Sequence, residues 1–100
     1  MGIWNFASRR TSQDLVTGAL TLTVVSGQPI QVCGILFDNN TGSAIRVAIN
    51  DATGTKITSV NVPACESFEL RTHWLADTGL QLVSECTGVH VTVFHNSPGN

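Results

Sequence analysis

Charge is scarce in this 100-residue chain: five Lys and Arg and seven Asp and Glu make up 12% of it. Globular domains carry about twice that share, near 25%. A net charge of −2 argues against a duplex-binding role driven by neutralising phosphates. So uncharged a surface suits a domain partly covered by neighbours, as it also suits an ordinary extracellular sandwich. Tyrosine is absent, and Trp4 and Trp74 are the only tryptophans, which leaves little to stack on sugar rings. No apolar run approaches a membrane span. Cys33, Cys65 and Cys86 are odd in number and lack CxxC spacing, so neither a disulfide framework nor a zinc motif is written in them. No long apolar core follows Arg9 and Arg10, so no secretory leader is expected. Phe6 stands where a myristoylation pattern wants Ser or Thr. The expectation is synthesis in a reducing cytoplasm, with three free, mostly buried thiols.

What is present, from Gly18 to His95, is a series of short β-branched segments that alternate and close on turn signals. Leu20, Leu22 and Val24 make one apolar face, ended by Ser26-Gly27-Gln28-Pro29. Ile30 to Asp38 is apolar on both parities, which predicts a strand covered on two faces or bent at Gly34. Asn39-Asn40-Thr41-Gly42 predicts a hairpin turn. Ile45, Val47 and Ile49 then face inward, and Asp51-Ala52-Thr53-Gly54 turns the chain back toward Val60 and Val62. Those strands read as a β-meander. Phe68 and Leu70 alternate with Glu69 and Arg71. His73 to Gly79 reads as a connection whose Trp74 and Leu75 plug the end of the core. Leu80 and Leu82, then Val89, Val91 and Val93, complete about seven strands. The predicted fold is all-β: a single antiparallel β-sandwich, jelly-roll or immunoglobulin-like, over residues 16–97, behind an extended N-terminal arm over residues 1–15.

Catalytic and metal-binding constellations are weakly represented. His90 and His95, five apart on one strand, point to opposite faces and cannot share a metal. Asp38 and Asp51 stand beside Asn39, Asn40 and Asn50, where Asx turns are a commoner outcome than calcium binding. Ser, His and Asp occur without a nucleophile motif or a phosphate loop, so the chain is expected not to be an enzyme and to need no cofactor or metal. The arm is the better candidate. Ile3, Trp4 and Phe6, followed by Arg9 and Arg10, lie in the first 13 residues, which hold no acid; all seven acids come after them. They either cap this domain's own core or insert into a neighbouring subunit as anchors, and insertion is the reading preferred here.

Several segments carry a family resemblance: Gly34-Ile35-Leu36-Phe37-Asp38-Asn39, Val60-Asn61-Val62-Pro63-Ala64 with Ser67-Phe68-Glu69-Leu70, Trp74-Leu75-Ala76-Asp77-Thr78-Gly79-Leu80, and Val89-His90-Val91-Thr92-Val93-Phe94. In this order, over residues 18–95, they resemble small virion proteins of tailed bacteriophages. The resemblance implies a capsid decoration or cement protein made in the host cytoplasm, a homo-oligomer and often a homotrimer, bound to the major capsid protein on the outside of the head. It leaves open a head–tail connector, tail or fibre-attachment role. A carbohydrate-binding sandwich is a further alternative from another class. The cysteines and the arm lie outside the shared pattern. No nucleic acid and no membrane partner is expected.

Overall fold

Alternating Val, Ile and Leu commit the chain to strands, and nearly every buried side chain comes from one parity of each. The computed structural model describes residues 9–96, without the side chains of Thr72, His73 and Trp74. It contains β1 (Arg9–Leu15), β2 (Thr21–Ser26), β3 (Ile30–Asn39), β4 (Ile45–Asp51), β5 (Lys56–Val62), β6 (Ser67–Ala76), β7 (Gly79–Ser84) and β8 (Val89–Asn96). Two four-stranded sheets, β1-β8-β3-β6 and β2-β7-β4-β5, pack face to face. The antiparallel pairs β1–β8, β2–β7, β3–β6 and β4–β5 are those of one long hairpin rolled on itself, sealed by β3–β8 and β4–β7. That succession is a jelly roll, which decides between the two sandwich topologies. The core lies between the sheets: Leu15, Ile30, Val32, Ile35, Phe37, Val89, Val91 and Val93 meet Leu22, Val24, Ile45, Val47, Ile49, Val62, Leu80 and Leu82.

The rolled topology replaces the expected meander. β3 and β4 belong to different sheets, so residues 40–44 form a corner rather than a hairpin turn; among the described residues only β4–β5 is a hairpin. The reason is Asn39, which is fully buried. Its Nδ2 donates to the carbonyls of Ser43 (2.9 Å), Val62 (3.2 Å) and Pro63 (3.1 Å), and its Oδ1 accepts from the Thr41 N–H (2.9 Å). The Cys65 N–H donates to the Thr41 carbonyl at 2.9 Å. One side chain thus ties the β3–β4 crossover to the β5–β6 crossover.

Other expectations shift with it. Residues 9–15, assigned to the arm, form β1, so the sheet begins earlier than residue 16. This strand has almost no apolar signal because only Leu15 enters the core; its backbone pairing with β8 makes it a strand. The stretch from His73 is a continuation of β6 rather than a connection. Leu75 does not plug the core but is exposed, while the side chain of Trp74 lies outside the described residues. Cys33 is buried at a bulge in β3 beside Gly34, but Cys65 and Cys86 are exposed, so most of the thiols are not buried.

Candidate functional site

The two open sides of the sandwich differ in chemistry. On the β1/β2 side, polar groups close the gap. Gln13 Nε2 donates to the carbonyls of Thr21 (3.1 Å) and Ala19 (3.4 Å), and Thr11 Oγ1 lies 3.0 Å from His95 Nε2. On the β5/β6 side the closing residues are apolar. Val60, Phe68 and Leu70 pack on the core while only partly buried, with the Phe68 ring 6.0 Å from that of Phe37. Farther along the same side, Ile57 and Leu75 are 46% and 55% exposed. β5 and β6 are edge strands, paired on their outer edges to no strand among the described residues. An apolar side bounded by two open edges is a surface that invites a partner.

At the end of this flank lies a groove of about 390 Å³, lined by Ile57, Leu75, Ala76 and Thr78 and flanked by Asp51 and Asp77. The Asp51 carboxyl is held below its ordinary value, first by the Thr53 hydroxyl, which outweighs an opposing effect of desolvation, and then by the N–H groups of Thr55, Thr53 and Gly54. It therefore serves its own turn and keeps its charge.

The outer faces of the sheets also differ. Cross-strand register places Asp14, His90, Asp38 and Ser67 in one row on the β1-β8-β3-β6 sheet. His90 Nδ1 lies 2.7 Å from Asp14 Oδ1, and Ser67 Oγ donates to Asp38. Glu69 and Arg71 form an ion pair on the same sheet, too exposed to add much stability. On the other sheet, register aligns Thr21, Val83, Ala48 and Ser59 in one row and Thr23, Gln81, Asn50 and Lys56 in the next. The strands of this sheet carry only Arg46, Lys56 and, at the end of β4, Asp51 as charges. Glu85 stands just past β7, its carboxylate accepting from the Arg46 N–H. Covering such a face strips few ions of water.

Of the residues proposed from sequence, Ile3, Trp4 and Phe6 lie outside the described residues. Arg9 and Arg10 are exposed at the start of β1, opposite His95 and Phe94. They sit on the edge of one sheet, and the apolar flank sits on the far side of the sandwich. The flank itself, Ile57 and Leu75 above all, was missed. A signal existed for Ile57, since it has the opposite parity to the inward Val60 and Val62.

His95 anchors the root of β1 and gives a test. It is only 2% exposed, and its Nδ1 has no hydrogen-bond partner among the described residues. Burial, and secondarily the charge of Arg9, lower its pKa below the usual 6.5. The unfolded chain therefore takes up a proton near pH 6.5 that the folded chain refuses. Stability should fall as pH drops from about 6.5 to the depressed folded value, by at most about 1.4 kcal/mol per unit, and then level off. Urea unfolding at pH 7.5 and 5.5 should show this loss in the native chain and a smaller one in His95→Gln. Equal pH dependence in both would remove His95 as its source.

No family model matches the sequence, and no curated protein resembles it significantly. Among solved structures, the chain is similar to the Drosophila NLP-core, a structure concerned with pentamer formation and histone binding. The TM-score is 0.59 at 10% identity, over 90% of this chain and 100% of that one. Weaker overlaps occur with IMPa from Pseudomonas aeruginosa (TM-score 0.37, 17% identity, 91% of this chain and 13% of that chain) and with the VP2 protein of infectious bursal disease virus (TM-score 0.21, 14% identity, 92% and 25%). The chain thus spans only a small part of those two proteins, and neither overlap bears on function. What the NLP-core likeness establishes is the fold: this chain is a jelly-roll β-sandwich.

Proposed function

We propose that the chain is a non-enzymatic structural protein of a tailed-phage particle. In this reading it is a decoration or cement protein that assembles as a homo-oligomer, a trimer by the resemblance described above, and binds the major capsid protein outside the head. The observation that carries the reading is the β5–β6 flank, where Val60, Phe68, Leu70, Ile57 and Leu75 line two open strand edges. Water-exposed apolar surface of this kind favours a covered state at about 25 cal/mol per Å². A stable contact between copies would bury roughly 1,200–2,000 Å². The mechanism is mechanical: each copy bridges coat subunits, and the summed contact resists expansion from within. That a jelly roll of similar size supports pentamer formation in the NLP-core lends the self-assembly part some support. Histone binding would ask for an acid-rich surface, and seven acids against five bases provide little of one.

The test is co-sedimentation of purified protein with heads that lack it, alongside native mass measurement. Saturable binding by an oligomer is expected. Val83→Asp, which puts a carboxylate in the middle of the nearly uncharged face, should weaken head binding at least tenfold while native mass and circular dichroism stay unchanged. A monomer that ignores heads would sink the reading. A labelled chain imaged at the vertex or on the tail would transfer it to the connector or tail alternative.

A further inference from the structure

The geometry points to a specific acceptor for the N-terminal segment: Ile3, Trp4 and Phe6 of one copy seat in the Ile57–Leu75 groove of a second copy. This rests on the homo-oligomer reading above and adds the contact that makes it. Three observations converge on it. The first is where the chain leaves the sheet. Arg9 pairs with His95, which is level with Val32 and Trp74 of the neighbouring strands, so β1 begins one residue from the height of Leu75. The start of β1 and the groove therefore lie at the same end of the sandwich, on opposite edges of one sheet.

The second is reach. β1 and β6 are three strand spacings apart in the order β1-β8-β3-β6, about 14 Å. Phe6 lies three residues before Arg9 and Trp4 five, reaches of about 10 Å and 17 Å when fully extended. Within one molecule a fully extended backbone would stop short of β6 at Phe6 and would span the sheet only near Trp4. If the β1 edge of one copy abuts the β5–β6 flank of the next, both side chains arrive without strain. Such a head-to-tail contact closes into a ring when its rotation permits.

The third is complementarity. Residues 1–8 carry no charged side chain and are followed by Arg9 and Arg10. The groove has an apolar floor, Ile57, Leu75 and Ala76, beside the carboxylates of Asp51 and Asp77. An apolar stretch followed by bases meets an apolar groove flanked by acids. The order of charges is the one that docking requires.

The experiment uses the full chain. Trp4→Cys and Leu75→Cys are made in separate chains, each with Cys65→Ser and Cys86→Ser, then mixed and oxidised. A disulfide-linked heterodimer of the two chains is expected. A doubly substituted chain, Trp4→Cys with Leu75→Cys, that closes only on itself would overturn the assignment to a second copy. By native mass, deleting residues 1–8 and, independently, Leu75→Asp should each weaken self-association roughly 30-fold or more. Leu75 is exposed, so that variant folds. If the deleted chain keeps the native oligomer, the arm-in-groove contact is refuted while the homo-oligomer reading stands. If the unaltered chain is monomeric at every concentration, both fall together.

Discussion

Asn39→Ala should cost the fold about 3–5 kcal/mol, read as a lower urea midpoint at unchanged slope. The substitution removes the partner shared by the Ser43, Val62 and Pro63 carbonyls and the Thr41 N–H, and of these the Ser43 carbonyl keeps a second donor in the Thr41 hydroxyl. A buried polar group so stranded costs about 1–3 kcal/mol, and a domain of this size has only about 5–15 kcal/mol in total. Asn39→Asp should be worse than alanine at neutral pH, although the new side chain has nearly the same shape. It replaces the amide donor with a carboxylate aimed at three carbonyl oxygens, at a side chain that is itself fully buried. Acidification should narrow the gap between the two variants, because the carboxyl introduced by Asn39→Asp regains one donor once it is protonated. An Asn39→Asp chain as stable as wild type at pH 7 would mean that volume, rather than hydrogen bonding, fixes the corner.

The same residue shows why topology was harder to read than strands. Strand positions follow from period-two alternation, and Leu22, Val24, Ile45, Val47, Ile49, Leu80, Leu82, Val89, Val91 and Val93 are buried as that alternation requires. Sheet membership is not a periodic property. Asn39-Asn40-Thr41-Gly42 has hairpin composition, yet the chain there passes from one sheet to the other. The parity of Ile35 and Phe37 does extend to Asn39, so a buried polar side chain was implied, but its acceptors in the β5–β6 crossover lie more than twenty residues away. β1 was illegible for a different reason. Its polar run is held by register with β8 and by Thr11 on His95, neither of which appears in local composition. The flank was hidden because half-buried Phe68 and Leu70 look in sequence like ordinary core. Only strand order reveals that they lie on an edge.

Gly79→Ala should be strongly damaging, costing about 2–5 kcal/mol. At φ +99° the backbone of residue 79 disfavours any L side chain by about 1–2 kcal/mol, and an added Cβ would sit 2.0 Å from the Val25 carbonyl oxygen. That oxygen cannot move aside cheaply. The β2–β7 register shifts between Val24 and Ser26, Val25 itself has a φ of 55°, and the Gly27 N–H is bonded to the Thr78 carbonyl. Forced overpacking of this kind adds about 1–3 kcal/mol to the backbone penalty. Two other glycines separate the contributions. Gly54→Ala meets nothing within 4 Å at φ +96°, so it should cost only the backbone share, about 1–2 kcal/mol. Gly42→Ala has open space and no positive φ, so it should be close to neutral. The expected order of urea midpoints is Gly42→Ala above Gly54→Ala above Gly79→Ala. If Gly54→Ala and Gly79→Ala proved equal, the close approach at Val25 would contribute nothing. Position matters here for function as well. Gly79 follows Asp77 and Thr78, which line the proposed acceptor groove, so a displaced Gly79 should weaken self-association before it unfolds the body. Native mass measured well below the unfolding midpoint separates those two consequences. Loss of the oligomer from a still-folded Gly79→Ala chain would tie the groove's shape to this one close backbone contact.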